Sequence, residues 1–272
     1  MHGRPGNALI GSDAGSSVGA MSAAPDPRSR SFGAVAAAYA THRPGYPAAA
    51  TAWALAPLGD EAAPRVLDLG AGTGKLTEAL PDRAEITAVD PDPAMLDELR
   101  ARFPHVRAAV GTAEEIPLPD ASVDAVLSGQ AWHWFDPDRA LPEIARVLRP
   151  GGVLAAVWND DGGDVEWMRG IGEAAAMGRP VRPVPAGSGA SGFPPHPAFA
   201  PAERAAFPNP VPTTTEGLVA ILATHSWALV SEPADRDAAF ARLRDYLATR
   251  PETASGEFVL PLAATVLRAL RR

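Results

Sequence analysis

A glycine-rich stretch at residues 66–77, VLDLGAGTGKLT, holds the residues whose types and spacing have the clearest chemical meaning. Apolar residues lead into Asp68, and glycines then stand at alternate positions, Gly70, Gly72 and Gly74. Glycines at this spacing let bare backbone approach a ligand closely, which a Cβ atom at each position would prevent. The carboxylate of Asp68 can accept a hydrogen bond from the same ligand. The stretch is therefore interpreted as a strand that ends in a binding loop.

Three kinds of ligand are candidates for this loop. A phosphate-binding P-loop needs a glycine and a hydroxyl residue where the chain has Leu69 and Leu76, so that interpretation fails twice. A dinucleotide fingerprint fits Gly70 and Gly72 but needs its third glycine where Lys75 stands. The third candidate, S-adenosylmethionine, has no pyrophosphate and agrees best with the residues present.

S-adenosylmethionine has a zwitterionic amino acid end that bare backbone could hold. The loop residues Gly70, Ala71 and Gly72 would approach this end, and Asp68 would accept a hydrogen bond from its ammonium group, directly or through water. Asp90 ends the next predicted strand, where a carboxylate can accept hydrogen bonds from both ribose hydroxyls. The predicted adenine contacts are Pro91, Met95, Thr112 and Ala113.

Between residues 60 and 160, strand patterns alternate with helical patterns. The predicted strands are 65–70, 85–90, 106–111, 121–129 and 152–159, and the predicted helices are 76–82, 93–103 and 136–149. This alternation is typical of a parallel sheet with helices on both faces. Open sheets of this kind bind ligands at the carboxyl ends of their strands, which is where the glycine loop falls.

The flanking segments differ in composition from this core. Residues 1–30 are rich in Gly, Ser, Ala and Pro and predict a disordered tail. Residues 31–58 predict two helices separated by a Pro-Gly turn. The prolines and glycines of 161–203 predict an irregular insertion with one helix near its start. Residues 204–272 predict an edge strand, since its prolines exclude a central position, followed by two helices and a closing strand.

Composition and charge exclude several classes of function. The chain has 272 residues, no cysteine and a net charge of −8. Thiolate catalysis, disulfides and thiolate metal sites are therefore excluded, and the histidine spacing predicts no metal site. The acidic balance argues against nucleic acid as a partner, and no apolar run is long enough for a membrane helix. We expect a cytoplasmic protein, a monomer or a homodimer, that acts on a small molecule.

Several of these motifs together resemble a known family. D-x-G-x-G-x-G after a strand, Asp90 at the end of the next strand, and RVLRPGGVL at 146–154 are similar to class I S-adenosylmethionine-dependent methyltransferases of the methyltransferase type 11 group. Three further stretches resemble the small-molecule branch that includes trans-aconitate-methyltransferase-like proteins. They are FGAVAAAYATHRPGYP at 32–47, GTAEEIPLPDASVDAVLSGQAWHWFD at 111–136 and THSWA at 224–228.

The resemblance implies a Rossmann-like α/β fold. Its seven-stranded, mostly parallel sheet would have strand order 3-2-1-4-5-7-6, with the last strand antiparallel, and would carry N-terminal helices and a partly helical C-terminal region. It also implies one methyltransferase domain over 31–272. Within it, 31–58 would form a helical cap, 60–160 the cofactor-binding core, and 204–272 the part that completes the sheet and the acceptor pocket.

The resemblance also assigns roles to residues outside the loop. The N-terminal segment folds over the cofactor in related proteins, so Tyr39 and Arg43 are expected there, with Arg43 paired to the methionine carboxylate. Gln130 is expected beside the cofactor. His133 is a candidate base near the transferred methyl group, and a structural histidine bonded to backbone is the alternative. Related sequences often have aspartate where Thr112 stands, which puts the adenine contact at that position in doubt.

The implied function is methyl transfer from S-adenosylmethionine to a small-molecule acceptor, a carboxylic acid or a hydroxyl compound, by in-line displacement. A carboxylate would need no base, whereas a hydroxyl would benefit from His133. Arg169, Arg179 and Arg182 are candidates for binding an acceptor carboxylate. Two alternatives stay open: a non-catalytic S-adenosylmethionine-binding protein and, less favoured, a nicotinamide-dependent oxidoreductase.

Overall fold

The computed structural model describes residues 36–59, 63–161, 165–175 and 192–272, so the predicted tail at 1–30 and much of the predicted insertion lie outside the described residues. The strands are Arg65–Leu69 (β1), Glu85–Asp90 (β2), Arg107–Val110 (β3), Val123–Gly129 (β4), Leu148–Asp161 (β5), Glu203–Thr214 (β6) and Glu257–Leu270 (β7). The helices are Ala36–His42 (α1), Ala48–Leu55 (α2), Pro93–Arg102 (α3), Pro137–Val147 (α4), Glu166–Ala175 (α5), Thr215–Ala223 (α6), Ser226–Val230 (α7) and Pro233–Ala248 (α8).

The strands form one seven-stranded sheet with the order β3-β2-β1-β4-β5-β7-β6. Strands β1 to β5 pair in parallel, and β7 pairs antiparallel with both β5 and β6. The order and the antiparallel β7 confirm the Rossmann-like fold. The central strands β1 and β4 are buried along most of their length, as expected for parallel strands covered on both faces.

Helices cover both faces of the sheet, as predicted. On one face, α2 packs on the C-terminal half of the sheet through Ala50 and Ala54, and α3 packs on β2 and β3 through Leu96 and Leu99. On the other face, α4 contributes Ile144 to the largest apolar cluster. Full burial of one aliphatic side chain of this size is worth about 2 kcal/mol. The two layers therefore hold the strand ends, and the loops that follow them, in fixed positions.

The helix predicted at 76–82 is wrong. The segment forms a single 3-10 turn, Thr77–Ala79, between β1 and β2. Leu80, the residue before Pro81, is extended with a ψ of 150°, so the helical segment ends after one turn. The hydroxyl of Thr77 donates a hydrogen bond to Asp68. The turn therefore supports a candidate site residue instead of forming a helix.

Strands β6 and β7 form a long antiparallel pair, and β6 lies at the edge of the sheet, as its prolines predict. Pro208, Pro210 and Pro212 occupy alternate, exposed positions of β6. Because a proline nitrogen has no hydrogen to donate, proline is tolerated in an edge strand where its nitrogen faces away from the neighbouring strand. The three nitrogens lie on one side of β6, along its free edge.

A second apolar cluster lies beyond the sheet. Helices α5, α6 and α8 pack together with part of β7, around the side chains of Leu218, Phe240, Leu243 and Leu247. Helix α1 packs against α6 on one side and against α3 on the other. It therefore connects the nucleotide-binding half of the core to the C-terminal helices. No helix in the described part of the chain is long and apolar enough to cross a membrane.

Candidate functional site

The loop after β1 is tight on one side and open on the other. Its glycines Gly70, Gly72 and Gly74 all have positive φ values, of 72°, 53° and 86°. A Cβ atom at Gly70 would lie 2.5 Å from the Cβ of Ala131, whereas a Cβ atom at Gly72 would meet nothing within 4 Å. The protein itself therefore requires a glycine at position 70 for packing. At position 72 the space is open to a ligand.

Asp90 holds this loop from the end of β2. Its Oδ2 accepts a hydrogen bond from the amide of Gly72 at 2.8 Å, and its Oδ1 accepts one from the amide of Asp92 at 2.9 Å. Burial raises the pKa of Asp90 to about 6, although both backbone hydrogen bonds oppose the rise. Each oxygen keeps a further lone pair, so the carboxylate can hold the loop and still accept from ribose hydroxyls.

Asp68 is fully buried at the end of β1 and is only partly satisfied. Its Oδ2 accepts the hydrogen bond from the Thr77 hydroxyl at 2.7 Å, while Oδ1 has no hydrogen-bond partner among the described residues. Burial raises the pKa of this carboxyl to about 7. A buried carboxylate oxygen without a partner is costly, and a cationic ligand group would relieve that cost. The residues present therefore fit the ammonium of S-adenosylmethionine.

The predicted adenine contacts lie on the far side of Asp90. Pro91 is half-buried and Met95 is buried on the first turn of α3. The amide of Gly111 donates to the carbonyl of Asp90 at 3.2 Å, so the loop that carries Thr112 begins beside that residue. The side chain of Ala113 is buried in the apolar cluster under α4, which leaves only its backbone to face a ligand.

The turn after β4 contains strained backbone. Gln130 has a φ of 54°, which is uncommon for any residue other than glycine. Its amide donates to the carbonyl of Val157 at 2.9 Å, and its side-chain Nε2 donates to the carbonyl of Asn159 at 3.3 Å. Strain of this kind is stored at sites where the surrounding structure over-determines one conformation. Gln130 is thereby fixed at the carboxyl edge of the sheet.

In the aromatic segment that follows, some side chains pack against the core and others are exposed. Trp132 packs edge-on against Phe135 and Phe193, with ring centroids 5.6 Å and 4.7 Å apart. His133 is exposed and stacks at a tilt on Trp134. Neighbouring protein atoms desolvate the imidazole enough to lower its pKa, and the positive charge of Arg43 lowers it further. His133 is therefore neutral at physiological pH and can accept a proton.

Arg43 lies at the end of α1, where the C-terminal helices anchor it. Its Nε donates to the hydroxyl of Thr224 at 2.9 Å, and its guanidinium lies 5.0 Å from the ring centroid of Tyr39. Burial lowers the pKa of His225 to about 3, and the positive charge of Arg43 lowers it further. Groups from α1 and from the α6–α7 turn therefore act on one guanidinium.

The sequence did not single out Tyr46, Thr224 and His225 as site residues. The hydroxyl of Tyr46 lies 2.8 Å from where a Cβ atom on Gly129 would be. Burial raises the pKa of Tyr46 well above its usual value, and the nearby Tyr39 and Asp68 add to the rise. These residues stand in two stretches that resemble the family, 32–47 and 224–228, and that resemblance was the signal that could have identified them.

Of the three arginines expected to bind an acceptor carboxylate, one lies within the described residues. Arg169 is exposed on α5, which packs against α8, and Arg179 and Arg182 lie outside the described residues. The described residues contain no cluster of three or more His, Asp or Glu side chains that could hold a metal ion.

Comparison with known proteins agrees with this geometry. A family model described as a methyltransferase domain matches residues 67–156, from β1 into β5. An uncharacterised methyltransferase of Mycobacterium tuberculosis is 43% identical over 256 residues, which cover 89% of this chain and 96% of that protein. The chain belongs to the methyltransferase domain family. It is accordingly an S-adenosylmethionine-dependent methyltransferase.

Two further relatives of this methyltransferase are informative. A solved structure from Anaeromyxobacter dehalogenans, assigned as a type II methyltransferase, is 31% identical with a TM-score of 0.55 and covers 84% of this chain and 96% of that chain. A malonyl-[acyl-carrier protein] O-methyltransferase of Methylococcus capsulatus is 48% identical over 99 residues, which cover 34% of this chain and 36% of that protein. The first supports the fold over most of the chain, whereas the second matches 34% of it.

Proposed function

We propose that this enzyme transfers the methyl group of S-adenosylmethionine to an oxygen atom of a small-molecule acceptor, a carboxylic acid or a hydroxyl compound. The observation that carries the proposal is the position of His133. It is an exposed imidazole whose pKa is lowered by desolvation and by the charge of Arg43, and it lies on the turn that starts at the strained Gln130. This turn follows β4 at the same edge of the sheet as the glycine loop.

The residues that would hold the cofactor form a connected set. Asp68 would receive the ammonium on its unpartnered oxygen, and the open side of the loop at Gly72 would face the amino acid end. Asp90 would accept from the ribose hydroxyls, while Pro91 and Met95 would line the adenine. Arg43 would pair with the methionine carboxylate, as the family resemblance implies. When bound, S-adenosylmethionine supplies a methyl group already activated by a positive sulfonium.

The acceptor would lie between the turn that carries His133 and the α6–α7 turn that carries His225. Both imidazoles have lowered pKa values, so neither carries a competing positive charge near neutral pH. His133 would take the proton of a hydroxyl acceptor, a contribution on the order of 100-fold in rate. A carboxylate is already ionised and would need only orientation. The malonyl-[acyl-carrier protein] O-methyltransferase relative supports oxygen as the acceptor atom.

The cofactor assignment is tested by calorimetric titration with S-adenosylmethionine, with NADH as the control ligand. We expect saturable binding that weakens strongly in Asp90→Asn, because an NH2 group replaces one oxygen and two of the four lone pairs used by the loop and the ribose are lost. The variant Asp97→Asn, an exposed acid on α3, serves as the matched control. Binding of NADH without binding of S-adenosylmethionine would support the nicotinamide alternative instead.

The role of His133 is tested by comparing acceptor classes in the His133→Ala variant. With phenols and alcohols we expect turnover to fall by about 100-fold, because the proton acceptor is lost. With carboxylic acids we expect little change, and in both cases the affinity for S-adenosylmethionine should stay the same. Release of S-adenosylhomocysteine measures turnover. A protein that binds the cofactor but releases none with any acceptor would be the non-catalytic alternative.

A further inference from the structure

A cluster of amide side chains fastens the N-terminal segment to the sheet. Asn209 of β6 donates to the carbonyl of Gly45 at 2.9 Å, and Asn159 of β5 donates to the same carbonyl at 3.0 Å. The two side chains also bond to each other, since Asn209 donates to Oδ1 of Asn159 at 2.9 Å. The Pro44 carbonyl lies 3.4 Å from the Asn159 amide nitrogen. Side chains from β5 and β6 thus hold the Pro-Gly turn between α1 and α2 by hydrogen bonds.

Strand β7 runs between the two strands that carry these side chains. Its residue Ala264 pairs with Asn159 in the ladder and is fully buried. Its methyl group leaves room for the two amides to meet across the intervening strand. We call the pair Asn159 and Asn209, together with the Gly45 carbonyl, the amide latch.

The latch stands next to residues of both halves of the site. Gly45 lies between Arg43, which is bonded to Thr224, and Tyr46, whose hydroxyl lies at Gly129. On the sheet side, the backbone carbonyl of Asn159 accepts the side-chain hydrogen bond of Gln130. One residue, Asn159, therefore fixes the strained turn after β4 through its backbone and the N-terminal turn through its side chain.

We infer that Asn159 and Asn209 are positioning residues for methyl transfer, which hold Arg43 and Tyr46 over the glycine loop by gripping the Gly45 carbonyl. The inference rests on the cofactor site assigned above. Both asparagines bond to the backbone carbonyl of Gly45, so the contact depends on the position of the backbone and not on the side chain at position 45. Without it, α1 keeps its contacts with α3 and α6, but the turn that aims Arg43 and Tyr46 loses its anchor.

The test is Asn209→Ala, with Thr213→Ala as the matched control. Thr213 lies on the same strand and the same half-buried face, and in the described structure its hydroxyl donates to the carbonyl of the neighbouring Thr214. In Asn209→Ala we expect the dissociation constant for S-adenosylmethionine to rise roughly tenfold, since the hydrogen bonds of Asn209 to the Gly45 carbonyl and to Oδ1 of Asn159 are both lost. We also expect faster hydrogen exchange at amides 39–50 in the ligand-free protein.

A background of Arg43→Ala separates positioning from simple stabilisation. If the latch acts by aiming Arg43, most of the tenfold loss should disappear when Asn209→Ala is made in that background. A full, additive loss would overturn the inference, and so would equal exchange and equal affinity in Asn209→Ala and Thr213→Ala. If Asn209→Ala lowers the yield of folded protein, Asn209→Ser, which is too short to reach the carbonyl, replaces it. If Asn209→Ala changes neither the cofactor affinity nor the hydrogen exchange but the enzyme still transfers methyl groups at saturating cofactor, the inference fails and the proposed function is unaffected.

Discussion

At the scale of single residues, the carboxyl group of Asp68 is poised between two protonation states. It is buried, one of its oxygens has no partner in the described structure, and its pKa is raised to about 7. The raised pKa means that near neutrality the ligand-free protein holds a proton there for much of the time. A cationic group placed against Asp68 favours the ionised form, so it must expel that proton.

We therefore predict that binding of S-adenosylmethionine releases a proton and that affinity rises with pH between about pH 6 and pH 8, by up to tenfold per unit. Calorimetry in buffers of different ionisation enthalpy measures the released proton directly. Asp68→Asn should bind more weakly, release no proton, and show a flat profile over the upper part of this range. The exposed Asp97→Asn should behave like the parent protein. Proton release that persists in Asp68→Asn would assign the titration to another group.

At the scale of elements, the loop after β1 shows two glycines with similar φ values and different surroundings. A Cβ atom at Gly70 collides with Ala131, whereas one at Gly72 enters open space. Both replacements by alanine carry the cost of a left-handed backbone, roughly 1 to 2 kcal/mol. Because this backbone cost is shared, any difference between the two variants comes from what surrounds the added methyl group at each position.

We predict that Gly70→Ala lowers the melting temperature much more than Gly72→Ala, because only the first displaces packed protein. Gly72→Ala should fold but lose at least about tenfold in affinity for S-adenosylmethionine, since its methyl group would occupy ligand space. Thermal melting and calorimetric titration of the two variants measure these effects. Normal cofactor binding by Gly72→Ala would mean that the open side of the loop is not the ligand side.

The elements of this core could be predicted from the sequence because their signals are local. The strand that ends at Asp90 has its predicted bounds, and the helix that follows begins at the predicted Pro93 and ends one residue earlier than predicted, at Arg102. The helix expected at 76–82 failed for an equally local reason. Leu80 is extended because it precedes Pro81, so the segment stops after a single 3-10 turn.

At the scale of the whole molecule, the site is assembled by contacts that no local pattern contains. The bond from Arg43 to Thr224 joins residues 181 positions apart, and the bond from Asn209 to Gly45 joins residues 164 positions apart. An asparagine at the end of a strand and a threonine between two helices are ordinary surface residues in a sequence. Their roles become visible only when the sheet order brings β5, β6 and the N-terminal turn together. The proximity of the glycine loop to the end of β2 could therefore be predicted from local patterns, whereas these long-range contacts could not.

The prolines at alternate positions of β6 have a consequence for the behaviour of the enzyme in a crowded solution. An edge strand usually offers a row of N–H donors, on which a strand of another molecule can add. Along the free edge of β6, Pro208, Pro210 and Pro212 remove three such donors in succession.

Replacing all three by threonine should restore the donors and allow copies of the protein to join edge to edge, while Pro119→Thr in an exposed loop should not. Sedimentation at increasing protein concentration measures this, and a triple variant that sediments like the parent would show that the prolines do not limit association. By this account the sheet ends at β6 because its last strand cannot template the strand of another molecule.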